Sequence, residues 1–318
     1  MKQLYILLIS ILVVSCKPGN GSKKGSDAQK PIITVTIEPL RYFTEAIAGD
    51  EYTVVSMVPK GSSPETYDPT PQQLVELSKS KAYFRIGHIG FERAWADRLS
   101  DNAPHLQFFN LSRGVELIFD TTHAHAPHTA AESNYQEEES HSADAGNDGQ
   151  PRIGVEPHIW NSTVNAQIIA GNILNALCQM NKANEDIYLE RYNTLCRKLE
   201  RTDSLICNML SAPNADRAFM IYHPALSYFA RDYDLYQIPI EAGGKEPSPA
   251  HLKELIDTCK EEKVHVIFVQ PEFDRRNADL IAEQTGATVV SINPLSYDWE
   301  AEMLKVARAL SGEKQNQE

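Results

Sequence analysis

Four of the chain's ten histidines, His123, His125, His128 and His141, fall in the run TTHAHAPHTAAESNYQEEESHSADAGNDGQ at 121–150. Six acidic side chains accompany them, with no Lys or Arg. The run has no apolar segment that could build a core, so its composition predicts a solvated, disordered loop. His-x-His spacing can chelate a metal, but a disordered chain loses entropy in doing so, which keeps the affinity modest. These four histidines therefore read as accessory, low-affinity metal ligands; the alternative is a tolerated surface insertion. The run continues into PRIGVEPHIW, where one more histidine, His158, stands between Pro157 and Ile159-Trp160. An imidazole-rich loop leading into an ordered histidine points to a protein that handles a transition metal.

Such residues need a frame. From Pro31 short β-rich runs alternate with helical patterns: IITVTI, YTVVSMV and AYFRIG as strands, with helices over RYFTEAIAG, PQQLVELSKS and FERAWADRLS. After Pro213 the alternation resumes with AFMIYH, LYQIPI, VHVIFVQ and ATVVSI as strands. Alternation of this kind predicts parallel sheets covered on both faces. Between the two halves, 162–210 contains no proline and one glycine, with apolar residues at helical spacing. That segment reads as one very long helix, or as two helices broken near Asn181–Asn184. The fold class is thus α/β: two lobes with parallel sheets, joined by a long rigid backbone helix, with a cleft between them.

Composition bounds the role. A 42% hydrophobic, 23% charged chain of 318 residues is ordinary globular protein. A net charge of −13 makes it a poor nucleic-acid binder and a good attractor of cations. At the N-terminus, Lys2 precedes the apolar run LYILLISILVV and then Ser15-Cys16. The run is short for a membrane span and has signal-peptide layout. VVSC resembles a bacterial lipobox, which implies lipidation at Cys16. Residues 1–15 then form a signal peptide and 16–30 a flexible, lipid-anchored tether. The N-terminal lobe is expected at 31–160, with the disordered loop at 121–150. The linking helix is expected at 161–212 and the C-terminal lobe at 213–318. Cys178, Cys196, Cys207 and Cys259 show no CxxC spacing, so a cysteine zinc site is not expected. They read as free thiols, with a bridge to Cys259 left open.

The segments VTIEPLRYFTEAIAGDEYTV, MVPKGSSPETYDPTP, EPHIW, YHPALSYFARDYDL, EAGGKEPSPAHL, VHVIFVQPEF and AEQTGATVVSINPL occur in this order. Together they resemble the substrate-binding lipoproteins of zinc/manganese-type metal ABC importers, over about residues 31–312. The resemblance implies one metal ligand from each of four loops, two per lobe. Carried over by motif, these are Glu65, His158, His223 and Asn293. Two places depart from the family pattern: Glu65 stands where a histidine is usual, and Asn293 where an aspartate is usual. Two imidazoles and a carboxylate suit Zn²⁺, and Mn²⁺ or Fe²⁺ accept them too. His88, Glu272 and Asp298 are lesser candidates.

The resulting expectation is a monomeric capture protein, not an enzyme, on the periplasmic face of the envelope. It would take a divalent metal, zinc first, and hand it to an ABC permease, touching the membrane through its lipid anchor only. One rival is an adhesion or interaction lipoprotein. Another is an envelope metallohydrolase, which would need an open metal position and a general base; the chain has no HExxH.

Overall fold

The computed structural model describes residues 30–120 and 154–312. In the N-terminal lobe β1 (Ile32–Val35), β2 (Thr53–Ser56), β3 (Ala82–Arg85) and β4 (Gln107–Asn110) form a parallel sheet in the order β2-β1-β3-β4. Helices α1 (Glu38–Ala48), α2 (Pro71–Leu77) and α3 (Gly90–Asn102) are its crossovers. Local sequence sets their starts. Pro39 opens α1, and Thr70 with Gln73 forms a capping box ahead of Pro71 in α2. Leu40, Phe43 and Ile47 then give α1 one buried face.

In the C-terminal lobe β7 (Ala218–Ile221), β8 (Tyr236–Pro239), β9 (Val266–Val269) and β10 (Thr288–Ser291) repeat the scheme in the order β10-β9-β7-β8, all parallel. Their helices are α6 (Ser227–Asp232), α7 (Pro249–Glu261), α8 (Arg276–Thr285) and α9 (Trp299–Leu310). Strands β7 and β9 are buried at every position, as expected of central strands covered on both faces. A two-residue antiparallel pair, β5 (Phe119–Asp120) with β6 (Gly154–Val155), flanks residues 121–153. The loop histidines His123, His125, His128 and His141, like Cys16, lie outside the described residues.

Segment 161–212 is two helices, α4 (Thr163–Met180) and α5 (Glu185–Leu210). The break falls at Asn181–Asn184. Asn181 leaves the helical region (φ −148°, ψ 81°), and a short 3₁₀ turn, Lys182–Asn184, follows. Asn side chains compete with the helical backbone for hydrogen bonds, which is why the long apolar pattern stops there. The linking role falls to α5. Its stripe Tyr188, Leu195, Leu199, Ile206 and Leu210 is buried, and the helix packs on α1 of one lobe and α9 of the other. All four described cysteines are free thiols.

Candidate metal centre

Glu65 lies in the loop after β2, His158 three residues after β6, and His223 two residues after β7. All three line one cleft, together with Trp160, Glu272 and Phe273. His158 is buried, and each of its polar atoms has a task. Its Nδ1 lies 2.5 Å from Glu156 Oε1, and its backbone N–H donates to the same oxygen at 2.9 Å. A carboxylate only accepts, so Nδ1 carries a proton and Nε2 is left to face the cleft. Trp160 packs edge-on against the ring at 5.2 Å. The C-terminal lobe supports Glu156 in turn: Tyr228 Oη donates to its carbonyl at 2.8 Å, and Ser227 Oγ to Oε2 at 3.3 Å.

His223 is built the same way. Its Nδ1 lies 2.8 Å from Glu241 Oε1. Gln270 clamps its main chain, donating Nε2–H to His223 O at 2.6 Å and accepting His223 N–H at 3.3 Å. Phe273 stacks on the ring at 5.3 Å and 20°. With both Nδ1 atoms committed, the two Nε2 atoms confront each other 3.2 Å apart. Two nitrogens about 2.0–2.1 Å from a tetrahedral Zn²⁺ would lie about 3.3–3.4 Å apart. Facing lone pairs at this distance repel unless a cation, a proton or a metal ion, sits between them.

Glu65 lines the same cleft. Its Oε2 accepts the Gly90 N–H at 3.0 Å, while Oε1 is buried and has no partner. A buried carboxylate oxygen without a donor is costly, and a cation in the cleft would satisfy it. Asn293 is placed differently. Its side-chain oxygen accepts its own chain's Leu295 N–H at 3.0 Å, an Asx turn, and it lines the neighbouring grooves instead of this cleft. The C-terminal lobe brings Glu272 to the cleft wall in its stead. Asp298 stands just ahead of α9 on the next groove, and His88 faces Ser112 Oγ at 3.4 Å. Among the described residues no three His, Cys, Asp or Glu side chains converge tightly enough to hold a metal as they stand. The imidazole pair is set, and the carboxylates stand on the wall.

Electrostatics follow from this packing. Burial alone would depress the His158 imidazolium. The Glu156 carboxylate beside it, with Glu65 and Glu241 further off, holds it above the usual imidazole value. Burial likewise pushes Glu156 up, but the charge and hydrogen bonds of His158, with the charge of His223 further off, bring it below the usual carboxylate value. His88 goes the other way, lowered by burial and by Arg93 and Arg85.

Glu156 and Glu241 escape the sequence reading. For Glu156 the only signal is its place two residues before His158. Glu241 stands 18 residues beyond His223 and has no such signal.

Relatives show the same frame. The family described as zinc-uptake complex component A, periplasmic, matches residues 33–310. The high-affinity zinc uptake system protein ZnuA of Bacillus subtilis is 28% identical over 90% of this chain and 85% of its own length. The manganese ABC transporter substrate-binding lipoprotein PsaA of Streptococcus pneumoniae is 26% identical over 89% and 86%. A crystal structure of ZnuA superposes with a TM-score of 0.75 at 32% identity, covering 89% of this chain and 98% of that one. A zinc-bound ZnuA deletion mutant gives the same score and identity, over 91% and 100%. The chain belongs to the zinc-uptake complex component A family, the substrate-binding proteins of zinc- and manganese-type metal importers that its motifs resemble.

Proposed function

We propose that the chain captures a divalent transition metal, zinc foremost, and delivers it to the permease of an ABC importer. His158 and His223 hold the metal through Nε2, and Glu65 Oε1 is the third donor. Glu272 takes the fourth position that the sequence assigns to Asn293. The observation that carries this reading is the pair of bare Nε2 atoms 3.2 Å apart, each ring fixed from behind by a carboxylate. Two nitrogens and two oxygens form a normal four-coordinate zinc shell, and the Irving–Williams order favours Zn²⁺ over Mn²⁺ and Fe²⁺ at equal supply. The named relatives take zinc or manganese.

The reading places the chain in the cell envelope, anchored at Cys16 and working as a monomer. No helix among the described residues is long and apolar enough to cross a membrane. The relatives named above are uptake and substrate-binding proteins, and the reading gives this chain no catalytic role. The histidines of 121–150 act as weak collectors of metal. Metal analysis of protein purified without added metal tests the reading, repeated for His158→Ala, His223→Ala, Glu65→Ala, Glu272→Ala and Asn293→Ala. About one tightly held Zn²⁺ should be lost with either histidine, reduced with either glutamate and kept with Asn293→Ala. Full retention in His158→Ala or His223→Ala would refute it. Deleting 121–150 should remove only weak extra sites.

A further inference from the structure

The carboxylate of Glu92 is almost fully buried, 1% exposed, and makes no ion pair among the described residues. Its oxygens are engaged by backbone and hydroxyl donors: Ile86 N–H at 3.0 Å, Gly87 N–H at 2.5 Å and the Thr36 hydroxyl. Burying a carboxylate this way is expensive unless it fixes something. What it fixes is the turn between β3 and α3, and the start of α3 that follows this turn lies against the loop that carries Glu65. Gly90, the first residue of α3, donates its N–H to Glu65 Oε2, and Phe91 N–H donates to Pro64 O at 3.0 Å. The Phe91 ring meets Tyr67 edge-on at 5.7 Å, and Trp95 Nε1–H donates to Asp68 at 3.0 Å. The start of α3 thus lies along the 64–68 loop as a splint.

Gly90 is what permits the close approach. A Cβ there would stand 2.3 Å from the Glu65 carbonyl oxygen and 2.8 Å from Oε2. Its φ is not in the left-handed region, so alanine is conformationally allowed and is a better helix former. The cost of Gly90→Ala therefore falls on Glu65.

We propose that Gly90 and Glu92 are positioning residues that hold Glu65 to a single free oxygen, and that this sets the metal preference of the cleft. The inference rests on Glu65 being a ligand. With Oε2 tied to Gly90, only Oε1 can reach the metal, and one short oxygen bond suits four-coordinate Zn²⁺. A released Glu65 can chelate with both oxygens, raising the coordination number toward what Mn²⁺ prefers.

The test measures Zn²⁺ and Mn²⁺ affinities by chelator competition, with the visible d–d spectrum of the Co²⁺-loaded protein reporting coordination number. Full-length chain is used as wild type, Gly90→Ala, Glu92→Gln, Glu65→Ala and the Glu65→Ala/Gly90→Ala pair. Gly90→Ala should weaken Zn²⁺ about 10–100-fold, the range seen when a ligand loses its supporting hydrogen bond. It should weaken Mn²⁺ less and dim the Co²⁺ bands, and it should have no further effect in the Glu65→Ala background. Glu92→Gln should act in the same direction, and it carries the comparison should Gly90→Ala not fold. A wild-type Zn²⁺/Mn²⁺ ratio and Co²⁺ spectrum in Gly90→Ala and Glu92→Gln would overturn the proposal. So would an equal loss with and without Glu65. If Glu65→Ala binds zinc like wild type, the ligand assignment itself falls.

Discussion

Titrating the metal-free protein with Zn²⁺ at pH 6 and again at pH 8 should release different numbers of protons. The geometry dictates this. Both Nδ1 atoms face carboxylates, so in the absence of metal only a shared proton relieves the contact between the two Nε2 atoms at 3.2 Å. His158 is the ring whose surroundings favour that proton. Burial opposes it, but Glu156, Glu65 and Glu241 carry its pKa above the ordinary value of 6.5. Below that raised pKa, zinc must expel about one proton, and its apparent affinity should climb about tenfold, or about 1.4 kcal/mol, per pH unit. Above it His158 is neutral and release falls toward zero. The stability of the metal-free chain has the matching sign. A raised folded-state pKa contributes stability that is fully present below 6.5 and lost as pH rises through the folded value. The Tm gain on zinc binding should therefore widen from pH 6 to pH 8. Calorimetry in two buffers of different ionisation enthalpy counts the protons. Glu156→Gln removes the leading partner and leaves the burial, so release at pH 6 should shrink; affinity at pH 8 should drop about 10–100-fold through lost orientation. No proton release at pH 6, or unchanged release in Glu156→Gln, would refute the shared proton.

Three further substitutions probe the frame. Gly49 ends α1 at φ 60° and ψ −141°, and a Cβ there would stand 2.6 Å from the Arg191 guanidinium that binds Ala48 O; Gly49→Ala should cost about 1–3 kcal/mol in urea unfolding. Asp203 on α5 accepts the hydroxyls of Thr163 and Tyr233, each at 2.7 Å. Asp203→Ala leaves the half-buried Tyr233 phenol short of one partner and should cost about 1–3 kcal/mol, read from the same unfolding curves. Trp160 Nε1–H donates to Pro294 O at 2.8 Å across the cleft. Trp160→Phe keeps the ring beside His158 and loses one hydrogen bond, worth about 0.5–1.5 kcal/mol, so zinc release to a chelator should quicken about two- to tenfold.

Much of the frame was legible because its signals are local. Runs such as AFMIYH and VHVIFVQ, bounded by turn residues, can only be central strands, and both became strands of the C-terminal sheet. QFFN at 107–110 escaped because it is an edge strand with polar ends, and the β5–β6 pair because it is two residues long. Of the four residues singled out by motif, Glu65, His158 and His223 line one cleft. Asn293 lies outside that cleft with its amide oxygen on Leu295 N–H; an amide before a proline serves a turn as readily as a metal, and the sequence does not say which way one oxygen points. Glu241 reaches His223 only through the folding of the C-terminal sheet, so no spacing rule could announce it.

The way metal enters follows from the packing between the lobes. One hydrophobic core runs through both of them. Phe43 meets Trp299 at 5.3 Å, and Trp299 Nε1–H donates to Trp160 O at 2.7 Å. Beside the neighbouring groove Tyr42 meets Tyr297 at 5.8 Å, and Tyr297 donates to Glu45 at 2.6 Å. Phe43, Trp160 and Trp299 are each at most 1% exposed. Exposing one such ring costs about 4–6 kcal/mol, from 150–250 Å² at about 25 cal/mol per Å². Swinging the lobes apart would expose all three, at a cost comparable to the whole stability of an ordinary domain, about 5–15 kcal/mol. Opening must therefore leave the shared core closed. That confines the motion to small rocking and to the loops that carry the proposed carboxylate donors, 63–67 on one side and 270–273 on the other, which is where the splint on Glu65 and the Gln270 clamp on His223 act.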